Sequence, residues 1–144
     1  MGEVRMKICF PGGTNVPVRD AGGGTPGQYD NSFRQWAGFF DREDFLYLAS
    51  HGREGTEPDR TNFAMPQSGV YSIRSGWDPD AICLVLKCGP DGGWHCQPDN
   101  GTFDLYAGGK NLMPDGSYYT ESGDPEGRTG FRKTKTHKTL SVGY

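Results

Sequence analysis

The sequence predicts a mainly β fold, part of an antiparallel β-sandwich, preceded by a short helical segment. Three observations carry this. Short stretches with period-two alternation recur after residue 67, among them Val70-Tyr71-Ser72-Ile73-Arg74 and Thr102-Phe103-Asp104-Leu105-Tyr106, separated by clusters of Gly, Pro and Asp. Residues 81–87 form a nearly continuous apolar run, the pattern of a central strand covered on both faces. Before residue 50, Phe33, Trp36, Ala37, Phe40, Phe45 and Leu48 recur instead at spacings near three and four, the period of a helix.

Taken in order, residues 1–27 read as extended loop, punctuated by Pro-Gly-Gly, Gly-Gly-Gly and Pro-Gly. Two short helices are expected over residues 32–40 and 42–50, with Asn31 and Asp41 placed as N-caps. Residues 51–66 read as a linker, in which His51 is a surface residue without a partner. Strands follow at 70–74, 81–87, 102–106 and 111–113, the last two joined by a Gly108-Gly109 hairpin. A Gly- and Asp-rich loop is expected over 115–130, then a weakly alternating strand over 134–142. Five or so strands leave an open edge and half a core, so the sheet reads as a piece of something larger.

Composition narrows the function classes. The 144 residues suit one domain, with 33% apolar residues and Gly plus Pro making up nearly a quarter. Eight Phe, seven Tyr and three Trp are too many aromatics for a disordered chain. A net charge of −3 gives no general reason to expect nucleic acid. Yet Arg128, Arg132, Lys133, Lys135 and Lys138 form a basic run with no acid after it, either a solvated strand face or a polyanion contact. No apolar run is long enough to span a membrane, and the N-terminal apolar stretch is too short for a secretory signal. The four cysteines form no CxxC pair; Cys83 and Cys88 face opposite sides of one strand and cannot bridge each other, so all are read as small buried side chains.

Chemistry concentrates in one stretch, Trp94-His95-Cys96-Gln97-Pro98-Asp99-Asn100. Imidazole, amide and carboxylate groups crowd into a loop that feeds the strand beginning near Thr102, where a rigid scaffold presents functional groups. On residues alone, a polar turn whose Asp and Asn cap their own backbone is the favoured explanation of the cluster.

Three separated segments, SGVYSIRSGWDPDA, WHCQPDNGTFDLYAGGKNLMPDGSYY and FRKTKTHKTLSV, occur in that order. Together they resemble the heparinase II/III-like polysaccharide lyases, on the heparinase III (heparan sulfate lyase) side. The match extends from about Phe39 to Leu140 and includes REDFLYLASHGREG. The resemblance implies that residues 1–66 are the end of an α/α-toroid domain plus linker, and residues 67–144 the first part of a β-sandwich, truncated at its C-terminal end. It implies a β-elimination on a uronic-acid-containing glycosaminoglycan, with His95 as acid/base and further partners on the toroid. It implies a structural divalent metal, zinc or calcium, on Gln97, Asp115 and His137; the HCQ sequence in place of HxH favours the heparinase III branch. It also implies that Asn100, Tyr106, Arg132, Lys133 and Lys135 line the substrate groove, and that the protein is periplasmic or secreted. Two rival functions stand beside it: a non-catalytic carbohydrate-binding or structural β module, and a lyase for another uronide such as alginate or chondroitin. A zinc-ribbon-like binder is a distant third, because the cysteine spacing is wrong.

Overall fold

The computed structural model describes residues 2–16, 24–89, 100–115, 123–131, 133, 137 and 139. Its first element is a helix that the glycine-rich N-terminal stretch conceals. Helix α1 runs Gly2–Ile8, not extended loop, with Glu3 in its first turn and Arg5 and Lys7 in its last, matching the helix dipole. Glu3 and Lys7 pair at i,i+4, 3.2 Å apart, and Met6 buries the opposite side. The Pro11-Gly12-Gly13 turn then ends the segment, both glycines having positive φ.

Helices α2, Asp30–Phe40, and α3, Glu43–Ala49, fall where the periodicity puts them. Their caps differ from the sequence reading. Tyr29 and Arg42 occupy the N-cap positions without a side-chain cap, and Asn31 lies inside α2. Asp41 is the C-cap of α2, at φ 52° and ψ 53°. A short polar side chain tolerates this left-handed geometry, so the residue expected to start α3 instead stops α2. Arg42 carries paired contacts to Asp44 and reaches Glu3 at 3.0 Å, which ties α3 to α1 and holds the Asp44 carboxyl below its usual range. Phe33, Ala37, Phe45 and Ala49 pack with Met6, Cys9 and Trp77 into one core. A fully buried Phe contributes roughly 2–3 kcal/mol, so Phe33 and Phe45 outweigh exposed ion pairs such as Arg34–Glu54.

Among the described residues the sheet is an antiparallel meander of five strands in the order β1-β2-β3-β4-β5. They are β1 Phe63–Met65, β2 Val70–Arg74, β3 Cys83–Lys87, β4 Phe103–Ala107 and β5 Lys110–Asn111. Strand β1 lies in the stretch expected as linker; at three residues it is too short to show alternation. Gly108 and Gly109, at φ 57° and 74°, make the hairpin turn that the sequence predicts. A fourth helix, α4 Pro125–Phe131, replaces the end of the expected 115–130 loop. Its signal was present: Asp124 Oδ1 accepts the Gly127 N–H at 2.9 Å and Pro125 takes the first helical position. The expected 134–142 strand lies, apart from residues 137 and 139, outside the described residues.

One face of the sheet is covered by the N-terminal segment. Phe10 and Val16 pack with Val70, Cys83 and Val85, and Phe10 stacks on Tyr106 at 5.3 Å. The other face carries Tyr71, Ile73, Leu84, Leu86, Phe103 and Leu105 in register, and no second sheet covers it among the described residues. Ile73 is 59% exposed there. Cys83 and Cys88 do face apart, but Cys88 is exposed, whereas Cys9 and Cys83 are buried; Cys96 lies outside the described residues.

Arg74 locks the N-terminal segment to the sheet. Its Nη2 donates to the carbonyls of Lys7 and Cys9, each at 3.1 Å, and the guanidinium lies 3.9 Å from the Trp77 ring centroid. Ser72 Oγ donates to the same Lys7 carbonyl at 2.6 Å. Carbonyls at a helix end lack intrahelical donors, and here two side chains of β2 supply them. Arg74→Ala is expected to lower the unfolding free energy by roughly 3 kcal/mol, from lost hydrogen bonds and cation–π contact. Urea unfolding measures this, with Arg74→Lys recovering part; a loss within error would deny the lock. Burial pushes the Cys9 thiol up to about 11 and raises Cys83 in the same direction, so thiolate is scarce at pH 8. Alkylation at pH 8 mapped by mass spectrometry should therefore mark Cys88 and spare Cys9 and Cys83 until denaturant is added.

Candidate functional site

Strand β4 departs from the usual half-buried pattern. Its polar parity, Thr102 just before the strand and Asp104 within it, is the buried one, at 5% and 3% exposure, while Phe103 and Leu105 are only partly buried. Burying a hydroxyl and a carboxylate costs several kcal/mol unless partners are provided. The turn after β5 provides them. Asp104 Oδ1 accepts from the Asn111 carboxamide at 3.2 Å and from the Asp115 backbone N–H at 3.1 Å. Asn111 in turn accepts the Met113 N–H at 3.2 Å, so the chain folds back and delivers Asp115 beneath the start of β4. There Thr102 Oγ1 donates to Asp115 Oδ2 at 3.1 Å.

His137 completes the arrangement. Its Nδ1 stands 3.0 and 2.9 Å from the two Asp115 carboxylate oxygens, and the two side chains are 0% and 2% exposed. Nε2 is buried as well and has no hydrogen-bond partner among the described residues. The structure thus brings together two of the three residues expected to hold a metal, 22 positions apart in sequence. The third, Gln97, lies outside the described residues. Among the described residues no group of three His, Cys, Asp or Glu side chains is placed to hold a metal. The pair fits a divalent ion: the imidazole Nδ1 faces both carboxylate oxygens at a buried site, where an ion held between them would take the place of the shared proton. This donor set suits zinc, and the carboxylate also admits calcium.

The pair sits under the base of the β3–β4 connection. Lys87 N–H donates to Thr102 O at 2.9 Å and Gly101 N–H to Lys87 O at 2.7 Å, which closes the neck of the connection. Asn100 belongs to that neck: its Oδ1 accepts the Gly89 N–H at 2.8 Å, and its carbonyl accepts from Thr139 Oγ1 at 2.7 Å. Gly69 and Gly89 pass so closely that a Cβ on Gly69 would meet Gly89 Cα at 2.2 Å, so neither position has room for a side chain. The segment 90–99 that leaves this neck carries His95; like Arg132 and Lys135, His95 lies outside the described residues.

Tyr106 and Lys133 are described. Burial raises the Tyr106 phenol pKa, keeping it protonated at neutral pH. Its ring lies on Phe10 and lines an open groove of about 370 Å³ shared with Thr14, Asn15, Asn111 and Asp115. Lys133 is exposed, and its backbone N–H donates to Gly130 O at 3.2 Å. The sequence reading overlooked Thr102, Asp104 and the partner of His51, whose Nε2 lies 2.8 Å from Asp30 Oδ2. For Thr102 and Asp104 the alternation showed that they share one face of a strand, but not that this face is the buried one. For His51 no signal existed, because its contact follows from a left-handed backbone, φ 53°. His137→Ala would leave the Asp115 carboxylate buried without its imidazole partner and should cost roughly 3 kcal/mol of stability. Urea unfolding checks this, and a change below 0.5 kcal/mol, about the scatter of a surface substitution, would show that the pair does not support the fold.

Residues 57–143 match the family described as Heparinase II/III-like, C-terminal. The chain is 37% identical over 139 residues to a heparin-sulfate lyase of Bacteroides stercoris, covering 94% of this chain and 21% of that protein. It is 40% identical over 114 residues to a heparin-sulfate lyase of Pedobacter heparinus, covering 76% of this chain and 17% of that one. The crystal structure of heparan sulfate lyase HepC from Pedobacter heparinus superposes with a TM-score of 0.88 at 34% identity, over 95% of this chain and 22% of that chain. A heparinase III structure gives 0.83 at 40% identity, over 91% and 21%. The chain therefore spans about a fifth of the length of these relatives. With a matching family model over most of its length and this fold, the chain belongs to the heparinase II/III-like family.

Proposed function

We propose that this chain is part of a polysaccharide lyase that cleaves a heparan sulfate-type glycosaminoglycan by β-elimination. The observation that carries the proposal is the burial of Asp115 against His137 beneath the neck from which the His95 segment departs. The proteins similar to it are named heparin-sulfate or heparan sulfate lyases, which supports the substrate class.

In the reaction a base removes the proton at C5 of the uronic acid. The electrons form the C4–C5 double bond, the C4–O bond breaks, and the leaving oxygen takes up a proton. The carboxylate beside C5 opposes deprotonation unless its charge is neutralised. His95 serves as acid/base, since an imidazole exchanges protons near neutral pH. A zinc or calcium ion on Gln97, Asp115 and His137 would supply fixed positive charge that pins the His95 segment to the sheet. In this reading Asn100 and Tyr106 contact the polysaccharide, and Arg132, Lys133 and Lys135 offer cations to its sulfates and carboxylates. Residues 1–66 act as the end of a helical domain whose remainder supplies the other catalytic groups, and residues 67–144 as the first part of the sandwich. An enzyme acting on such a polymer works outside the cytoplasm, in the periplasm or secreted.

The test is an absorbance assay for unsaturated product on heparan sulfate, comparing the 144-residue chain with a polypeptide extended upstream through the helical domain. Activity is expected only in the extended form, and His95→Ala should reduce kcat at least about 100-fold, the scale of losing a general acid/base. Binding of heparan sulfate without product in either form would replace the lyase with a carbohydrate-binding module. Product from alginate alone would change the substrate class.

A further inference from the structure

We infer that Thr102 and Asp104 form the outer shell of the metal centre, orienting Asp115 for the ion. This rests on the metal reading proposed above and adds to it two residues that hold no ion themselves. Three observations carry it. Both side chains are buried on the same parity of one strand, where apolar residues would ordinarily face inward. Each makes a different contact with the same ligand: the Thr102 hydroxyl donates to carboxylate oxygen Oδ2, and the Asp104 carboxylate accepts the Asp115 backbone N–H. Asp104 also holds Asn111, which shapes the turn leading to Asp115.

The physical division of labour follows. A carboxylate on a turn is free to rotate, and rotation must be frozen each time an ion binds. Thr102 removes that freedom at the side chain, and Asp104 removes it at the backbone. With the Thr102 hydroxyl proton on Oδ2, the carboxylate is held with both oxygens facing His137 Nδ1. Outer partners of this kind set ligand orientation, and removing one costs about 10–100-fold in metal affinity.

The test uses the whole protein, stripped with a chelator and titrated separately with zinc chloride and calcium chloride. Affinity is read by competition with a chromophoric chelator, bound metal by elemental analysis, and coupling by the shift in melting temperature. Thr102→Val, which keeps the shape and loses the donor, should weaken binding about 10–100-fold. Thr102→Ser should restore it to within a few-fold. Asp104→Ala should weaken binding similarly, and Asp104→Asn less, since its carboxamide oxygen can still accept both bonds. If Thr102→Val does not fold, the Thr102→Ser and Asp104→Asn pair carries the comparison, with Asp104→Asn expected to be the weaker binder. Metal lost in His137→Ala but held with unchanged affinity in the Thr102 and Asp104 variants would overturn this inference and leave the metal reading intact. Wild-type protein that binds neither ion would overturn both.

Discussion

A guanidinium buried between a helix end and a sheet sets the relation between the two parts of this chain. Arg74 makes two hydrogen bonds to the end of α1 while lying on Trp77, and Trp77 belongs to the helical core. One residue of β2 therefore touches the helix end, the helical core and the sheet. Burying an arginine is unfavourable unless it is compensated. Here the compensation comes from two carbonyls on Nη2 and the Trp77 ring, so the arrangement tolerates little displacement of α1. Phe10 and Val16 follow α1 directly, and their packing on Val70, Cys83 and Val85 depends on where that helix end is held. The groove beside Tyr106 depends on it too, because Phe10, Thr14 and Asn15 form its opposite wall.

The second constraint is electrostatic. Asp115 and His137 are buried under the neck of the β3–β4 connection, where an uncompensated charge is costly. Asp104, Thr102 and Asn111 form a chain of hydrogen bonds that leads into this pair. The network and the Arg74 lock lie on the same face of the sheet, the one covered by the N-terminal segment. Structural order at the site is thus inherited from packing that begins at residue 2.

Much of this was legible in the sequence, for identifiable reasons. Strand β2 was readable to the residue because Val70, Ser72 and Arg74 share one parity and the flanking turns are marked by Gly69 and Ser75-Gly76. The α2 and α3 helices followed from their aromatic spacing. Helix α1 was missed because seven residues show barely two turns, and the glycines after it dominate the local composition. Asp41 was misjudged because the same chemistry that caps a helix start also tolerates the left-handed geometry of a helix end. At the site, resemblance to a family nominated Asp115 and His137, which residue patterns alone would have left as a turn and a strand surface. Thr102 and Asp104 stayed hidden because alternation reveals that a strand has two faces, not which of them is buried.

That last point bears on how the strand finds its place. In most sheets, hydrophobic burial specifies pairing, since a one-residue slip throws the apolar side chains into water. For β4 the bias runs the other way. A slip would turn Phe103 and Leu105 toward Phe10 and Val85, and Thr102 and Asp104 to the opposite face of the sheet. What opposes it is the Gly108-Gly109 turn and the polar network around Asp115. The folding landscape is locally frustrated here, with a competing register held off by directional bonds rather than by oil-like collapse. Correct registration of β4 is thereby the step most sensitive to whatever weakens those bonds.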